Sequence, residues 1–334
     1  MKKGLLYFTI LIAFAGILAG CGSASSSQSG SGETEKITIG YFPNINHVPA
    51  MVAKAEGYYQ DQLGDDVEIE YKTFPDGSAF MTALKTGEIH AGLVGPGPAM
   101  NNYTTGTDVN IIAGGSTGGT VILAREGSGI ETAADLEGKT YVTPRVGCTH
   151  DVQFETYMKE ELGMTSERIG GTMIHTTGPP AQYQAMFETG KVDVAVAPEP
   201  WASVLQQETG AKVIIDSTEV SFGTTLPASV LVASGELIES DPELIQNIVD
   251  AHKDATAFIA ENPEEAKEIT INDIKEETGQ ELSKEVVDGS WENIGFTYEV
   301  DADAVQAFGD SSYDLKFLKE QPDFSDLIDT QFID

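Results

Sequence analysis

Residues 81–95 read MTALKTGEIHAGLVG, and residues 184–197 read QAMFETGKVDVAVA. Each stretch predicts a helix, a closing glycine (Gly87 or Gly190), a short buried strand and then a loop that contains proline. Because the same unit occurs twice, the sequence predicts two similar α/β lobes. The order of the strands within each lobe does not follow from the pattern.

Short β-rich runs alternate with longer helical runs from Lys36 to Ala233, which predicts βαβ units on mostly parallel sheets with helices on both faces. After Ala233 the predicted strands stop, and helices such as Ile245–Glu261 carry one apolar stripe. We expect this helical tail to pack on the first lobe, which makes that lobe discontinuous. The predicted strands are Ile37–Phe42, Val67–Thr73, Ala91–Val94, Val109–Ala113, Val121–Ala124, Thr140–Val142, Thr172–His175, Val192–Ala195, Lys212–Ile215 and Ala228–Ala233.

The start of the chain is typical of a secretory leader. Two lysines precede an apolar run over Leu5–Leu18, which is too short and wrongly flanked for a stable membrane span. The small residues that end at Cys21 resemble a bacterial lipobox, in which the thiol takes a diacylglyceryl group. We therefore expect residues 1–20 to be removed, Cys21 to be lipidated, and the protein to be anchored on the extracytoplasmic side of the cell membrane. The Ser/Gly-rich residues 21–35 predict a flexible tether.

The chain is strongly acidic. It has 53 Asp and Glu residues against 19 Lys and Arg residues, a net charge of −34. Such a surface excludes nucleic acid as a partner and disfavours adsorption to anionic lipid, so a lipid anchor has to hold the protein at the membrane. Acylation of Cys21 leaves Cys148 without a partner, so no disulfide within the chain is expected.

Four loops have the composition of binding loops. Asn44–His47 precedes a predicted helix over Val48–Gln62, with Asn46 as its N-cap. Gly95–Pro98 follows a strand, Gly114–Gly119 is expected to expose backbone amides, and Gly147–Asp151 opens a helix. Helix starts present free N–H groups and a positive dipole end, so these loops favour a small oxyanion.

Four segments stand in a characteristic order along the chain. They are IGYFPNINHVPAMVAKAEGYY (39–59), GEIHAGLVGPGPAMN (87–101), TPRVGCTHDVQF (143–154) and VAPEPWAS (196–203). Together they resemble the solute-binding proteins of ABC importers for nitrate, sulfonate, taurine and related solutes. The resemblance covers nearly all of residues 36–310.

The resemblance implies a two-lobed type II periplasmic-binding fold. Lobe one is expected at 36–118 plus 225–334 and lobe two at 119–224. The hinge is expected at Gly119–Thr120 and Thr224–Thr225.

By the same resemblance, a monomer captures a solute between its lobes and delivers it to an ABC permease with its ATPase. An alkanesulfonate or taurine is the first choice of solute. Nitrate or another oxyanion, and a pyrimidine of the thiamine-precursor type, are alternatives. A sensor or adhesion protein of the same fold is a further alternative.

Several candidate binding residues have a second interpretation. His47 and His150 contact the solute or pack beneath their loops, and Arg145 adds a positive charge or is a surface residue. Glu199 binds an amine or caps a helix, and Trp201 closes over the solute or belongs to the core. The expected ligand-binding residues are Asn46, His47, Gly95, Pro96, Ser116, Thr117, Gly118, Cys148, Thr149, His150, Glu199 and Trp201.

Catalytic and metal chemistry have little support in the sequence. The histidines are scattered without metal-ligand spacing, and no Walker A, G-x-S-x-G or dinucleotide motif occurs, so no cofactor and no metal are expected. A secreted cysteine hydrolase that uses Cys148 and His150 is the alternative of another class. Residues two apart on a helical turn do not face each other, which argues against it.

Overall fold

The computed structural model describes residues 35–333, and within this range the chain forms two separate β-sheets flanked by helices. The leader, Cys21 and all of the tether except Glu35 lie outside the described residues. The strands are β1 Glu35–Tyr41, β2 Val67–Thr73, β3 Ala91–Val94, β4 Asn110–Gly118, β5 Thr120–Ala124, β6 Thr140–Thr143, β7 Ile174–Thr177, β8 Val194–Pro198, β9 Lys212–Ile215, β10 Pro227–Ala233 and β11 Ile294–Phe296. The helices are α1 Val48–Glu56, α2 Tyr58–Leu63, α3 Gly77–Lys85, α4 Pro96–Tyr103, α5 Thr149–Leu162, α6 Tyr183–Glu188, α7 Trp201–Thr209, α8 Gly235–Ser240, α9 Pro242–Glu261, α10 Pro263–Thr278, α11 Lys284–Trp291 and α12 Ala302–Asp314.

The first sheet has the strand order β11-β4-β10-β3-β1-β2. Strand β1 pairs in parallel with β2 and β3, whereas β10 runs antiparallel to β3 and β4. Because β1, β2 and β3 point the same way, the loops that follow them leave the same edge of the sheet. Three of the loops that matter for binding therefore start side by side.

The second sheet has the order β7-β6-β8-β5-β9. Strand β6 is parallel to β7 and β8, whereas β5 is antiparallel to β8 and β9. The chain enters this sheet through Gly119 and returns to the first sheet between Ile215 and Pro227. The predicted α/β class, with helices on both faces of two sheets, is confirmed. The prediction that each sheet is mostly parallel is wrong, because β5, β10 and β11 run antiparallel to their neighbours and make both sheets mixed.

Helices cover the first sheet from both sides. The hydrophobic cluster on one face joins β1 to α1, α9 and α10, and the cluster on the other face joins the sheet to α3, α4 and α12. Helix α9 buries Ile245, Ile248, Val249 and Ile259 along the predicted stripe. Each such side chain contributes roughly 1.5–3 kcal/mol on burial. The helical tail therefore completes the core of the first sheet.

Three local predictions are wrong. A strand does occur after Ala233, because β11 adds to the edge of β4. The helix predicted over Val48–Gln62 is broken at Gly57, whose φ of 79° lies in the left-handed region. Strand β4 does not end at Ala113 but continues to Gly118.

Among the described helices, none combines the length and the apolar character that a membrane crossing requires.

Two glycines face each other where β1 meets β3. Gly40 and Gly92 are paired in the register of these strands, and a Cβ atom on Gly92 would lie 2.1 Å from the carbonyl oxygen of Gly40. The absence of a side chain at Gly92 therefore permits the pairing of β1 with β3, the two strands whose following loops line the cavity described below.

We predict that Gly92→Ala lowers the free energy of unfolding by about 2 kcal/mol or more, because the backbone of β1 has to move away. The matched control is Gly289→Ala in α11, where the nearest atom would be 3.9 Å away. That variant should be neutral or up to about 1 kcal/mol more stable, since alanine favours a helix. Urea unfolding measures both, and equal stability of the two variants would contradict the prediction.

Candidate functional site

A cavity lies where the loops after β1, β2 and β3 face the loops after β6, β7 and β8. It holds about 540 Å³ of empty space, which includes its open mouth. The two sheets therefore contribute to one shared crevice. Its lining residues are Phe42, Asn44, Asn46, His47, Pro75, Asp76, Gly77, Gly95, Pro98, Pro144, Cys148, Thr149, His150, Pro180, Pro198 and Ala228.

Asn44, and not Asn46, caps the turn after β1. The side chain of Asn44 accepts a hydrogen bond of 3.0 Å from the N–H of Asn46, which begins a 3-10 turn over Ile45–His47. The carbonyl oxygen of Asn46 accepts hydrogen bonds from the hydroxyls of Ser116 (2.9 Å) and Ser229 (2.6 Å). Helix α1 itself has His47 at its N-cap position and no side-chain capping bond, so the prediction that Asn46 caps this helix is wrong. The serines of β4 and β10 fix the loop so that Asn46 and His47 line the cavity.

Three buried polar atoms of lining residues have no hydrogen-bond partner. They are Oδ1 of Asn46, Nδ1 of His47 and Nε2 of His150. Asn46 and His47 are only 2 % and 4 % exposed. An unsatisfied buried polar group costs about 1–3 kcal/mol, so these atoms favour a bound polar molecule or water.

Both cavity histidines are neutral at pH 7. Burial, together with the nearby His150, lowers the pKa of His47 to about 3, and burial lowers the pKa of His150 to about 4. The ring of Phe42 packs edge-on against His47 with the centroids 4.8 Å apart. The cavity thus combines uncharged polar groups with aromatic and proline surfaces.

The helix starts at the cavity differ in what they offer an anion. Helix α3 is already capped by Asp76, which accepts hydrogen bonds from the N–H groups of Ser78 and Ala79. Helix α4 has Pro96 and Pro98 in its first turn, and proline carries no N–H. Helix α5 has no side-chain cap. Its first N–H groups are therefore the ones best suited to receive an oxyanion.

The starts of α4 and α5 touch across the cavity. The N–H of Gly97 donates to Oγ1 of Thr149 at 3.2 Å, and Nδ2 of Asn101 donates to the carbonyl oxygen of Gly147 at 2.7 Å. A Cβ on Gly95 would lie 2.6 Å from Oγ1 of Thr149, and one on Gly97 would lie 2.8 Å from its backbone nitrogen. Only glycine at these two positions allows the two elements to come this close.

An ion pair also spans the cavity. Nη1 of Arg145, after β6, lies 3.3 Å from Oδ2 of Asp76, after β2. The side chain of Arg145 is 52 % exposed. Exposed pairs of this kind contribute about 0–1 kcal/mol, so this one can be rearranged at little cost.

A buried polar network supports the loop before α5. Oδ2 of Asp151 accepts from the N–H of Gly147, and Glu155 accepts from the hydroxyl of Tyr141 and from Arg168. His175 stacks on Tyr141 and lies 3.6 Å from Asp151. Burial and the neighbouring Glu155 raise the pKa of Asp151 well above its usual value.

The same network is the place in the described chain where a metal ion could be considered. Ligand atoms of Asp151, Glu155 and His175 lie within 4.8 Å of one another. Arg168, however, already pairs with Glu155 and supplies a positive charge. We interpret the network as the scaffold of the loop. Sequence spacing did not indicate it, because His175 comes from a different element.

The structure brings half of the predicted binding residues to the cavity. Pro96 is the first residue of α4, directly after the lining Gly95. Ser116, Thr117 and Gly118 lie in β4 between β10 and β11, where their backbone groups take part in sheet pairing. The prediction that Gly114–Gly119 exposes free amides is therefore wrong. The predicted residues that line the cavity are Asn46, His47, Gly95, Cys148, Thr149 and His150.

Glu199 and Trp201 are not among the residues that line the cavity. The buried carboxylate of Glu199 accepts hydrogen bonds from the N–H of Ser203 (3.0 Å), the hydroxyl of Ser290 (3.0 Å) and Nδ2 of Asn293 (2.9 Å). It thus caps α7 and ties this helix to the tail. Trp201 is 4 % exposed and packs in the hydrophobic core. In both cases the structural interpretation fits the contacts better than ligand binding.

Cys148 is poorly suited to act as a nucleophile. Desolvation, reinforced by the nearby Asp151, raises the pKa of its thiol to about 12, so the thiol is protonated at neutral pH. The neutral His150 follows two residues later at the start of α5. The pair lacks the activated thiolate that cysteine hydrolases need.

Asp76 and Phe42 line the cavity but are not among the binding residues expected from the sequence. Asp76 stands in the segment Phe74–Gly77, which follows β2 as the recognised loops follow β1 and β3. Aspartate before glycine at the start of a helix is a signal for an N-cap. The rule that ligands bind beyond the carboxyl ends of parallel strands could therefore have found it.

Comparison with known proteins finds relatives that are named for binding sulfonates or taurine. Residues 30–272 match the family profile described as the NMT1-like family. The chain is 24% identical to a Bacillus subtilis (strain 168) protein named for binding aliphatic sulfonates, over 100% of this chain and 96% of that one. It is 23% identical to the taurine-binding periplasmic protein of Escherichia coli (strain K12), over 68% of each. The alkanesulfonate-binding protein SsuA from Xanthomonas axonopodis pv. citri, bound to MOPS, superposes with a TM-score of 0.75 at 20% identity, over 90% of this chain and 100% of that chain.

We predict that Gly97→Val separates the starts of α4 and α5, because the new side chain collides with the backbone of Thr149. Small-angle scattering should give a larger radius of gyration than for the wild type. Gly289→Val is the control, since a Cβ there meets nothing closer than 3.9 Å. An unchanged radius of gyration for Gly97→Val, with the fold intact, would show that the contact does not hold the two sides together.

Proposed function

Because the chain belongs to the NMT1-like family, we propose that it is the extracytoplasmic solute-binding component of an ABC importer. It captures a small organosulfonate, an alkanesulfonate or taurine, in the cavity between its two sheets and delivers it to the permease. The observation that carries the proposal is the meeting of loops from both sheets around unpartnered polar atoms of Asn46, His47 and His150. Relatives named for sulfonate and taurine binding support this choice of solute.

The lining suits the two ends of an alkanesulfonate. The uncapped start of α5 and the hydroxyl of Thr149 offer donors to the sulfonate oxygens. Phe42 and the prolines offer apolar surface to the hydrocarbon. At contact distance, charge-assisted hydrogen bonds of about 1.5–3 kcal/mol each outweigh the repulsion from distant surface carboxylates, which salt screens beyond about 8–10 Å.

Capture works by hinge motion in this proposal. Lobe one comprises 36–118 and 225–334, lobe two comprises 119–224, and the chain crosses between them at Gly119–Thr120 and Thr224–Thr225. Closure brings Gly97 against Thr149, and no bond is made or broken in the solute. The protein acts as a monomer, and residues 21–35 tether it to a lipid on Cys21.

A neutral heterocycle is the second candidate solute. The lining offers an aromatic face at Phe42 and uncharged hydrogen-bonding groups at Asn46, His47 and His150. A pyrimidine of the thiamine-precursor type would use these groups without a charged partner.

Calorimetry against a panel of solutes tests the proposal. The panel contains ethanesulfonate, butanesulfonate, 2-aminoethanesulfonate, nitrate, sulfate and an aminopyrimidine, titrated into the protein without its leader. We expect binding of the sulfonates with a 1:1 stoichiometry, and its loss in His47→Ala. Heat only from the aminopyrimidine or only from nitrate would contradict the sulfonate proposal and identify the alternative.

We predict that sulfonate affinity stays constant between pH 6.5 and 8. His47 and His150, with pKa values of about 3 and 4, are neutral over this whole range, and the sulfonate is ionised throughout. Had an imidazolium with an ordinary pKa near 6.5 held the solute, affinity would fall as the pH rises through that value. Titrations at several pH values distinguish the two, and a decline of about tenfold per pH unit above 6.5 would contradict the prediction.

A further inference from the structure

A solute with a cationic group needs a negatively charged side chain in the cavity, and Glu199 does not supply one. The hydrogen bonds that Glu199 accepts from Ser203, Ser290 and Asn293 hold it away from the lining. Among the described residues that line the cavity, Asp76 is the one with a carboxylate. Any ion pair between a lining carboxylate and a cationic group of the solute therefore falls to Asp76.

Asp76 has hydrogen-bonding capacity left. Its Oδ1 accepts from Ser78 N–H at 2.7 Å and from Ala79 N–H at 3.1 Å, and its Oδ2 accepts from Arg145 at 3.3 Å. A carboxylate has about four acceptor positions, and the contact with Arg145 is longer than most charge-assisted hydrogen bonds. The guanidinium is half exposed, so an ammonium group that enters the cavity can share the carboxylate or replace Arg145.

The carboxylate also stands at a suitable place relative to the anion-binding end. Gly77 packs on the first turn of α4, where a Cβ would lie 2.3 Å from Cγ of Pro98. The same turn contacts Thr149 at the start of α5 through Gly97. The first turn of α4 thus lies between Asp76 and the uncapped start of α5, and Asp76 and Thr149 line the same cavity.

We propose that Asp76 determines specificity and selects organosulfonates that carry an ammonium group a few bonds from the sulfonate. This inference rests on the proposed function and narrows its substrate class. The ammonium pairs with Asp76, and the sulfonate lies at the start of α5. An alkanesulfonate of the same length that lacks the amine leaves the carboxylate of Asp76 without an ammonium partner.

The test compares 2-aminoethanesulfonate with ethanesulfonate, which lacks only the amine, by calorimetry at pH 7. We expect the wild type to bind the aminosulfonate at least about tenfold more tightly, the effect of one charge-assisted hydrogen bond. Asp76→Asn should remove this preference by weakening the aminosulfonate, with ethanesulfonate changed by less than about twofold.

Asparagine caps a helix as well as aspartate does, so Asp76→Asn should fold, and its urea midpoint checks this. The control Asp65→Asn makes the same charge change in an exposed turn before β2 and should alter neither affinity. Equal affinities in the wild type, or equal weakening of both ligands by Asp76→Asn, would overturn the inference. If neither sulfonate binds to the wild type, the proposed function fails as well, which is a distinguishable result.

Discussion

Direct contact between the starts of α4 and α5 is the constraint on which the site depends. Gly95 and Gly97 carry no side chains, so Thr149 can approach and accept the N–H of Gly97. The same approach places the loops after β1 and β2 opposite the loop before α5. Asn46, His47 and His150 then line one cavity while each keeps a buried polar atom unpartnered. A larger residue at either glycine would change the distance between all of these groups at once.

Much of the fold could be predicted because periodicity and turn residues report local structure. Strands β2, β3 and β9 lie where the apolar runs predicted them, and Gly87 and Gly190 do adopt left-handed backbone after their helices. Strand order and the reversed β5 and β10 could not be predicted, since they depend on contacts between distant segments. The Gly-rich stretch 114–118 has the composition of a loop. It is a strand because the tail packs on it, with a Cβ on Gly114 only 2.2 Å from the carbonyl oxygen of Glu299.

Binding residues could be predicted where they directly follow a strand. They could not be predicted where charge or burial determines whether a side chain reaches the cavity. Asn46, His47, Gly95 and Thr149 follow strands or open helices, and the structure places them together. Glu199 and Trp201 lie in a distinctive Pro-Glu-Pro-Trp segment. The carboxylate of Glu199, however, accepts hydrogen bonds from the helical tail, and Trp201 packs in the hydrophobic core. Relatives named for binding aliphatic sulfonates and taurine add what composition alone does not contain, the expectation that such a crevice captures a solute.

A crystal structure with a bound organosulfonate is the decisive measurement. We expect sulfonate oxygens about 2.7–3.2 Å from N–H groups in the first turn of α5, with the carbon chain against Phe42 and the solute chemically intact. A solute seated elsewhere would contradict it, whether beside Glu199 or in the open depression lined by Asp108, Asp323 and Asp326. So would a solute held by one sheet alone, with α4 and α5 apart.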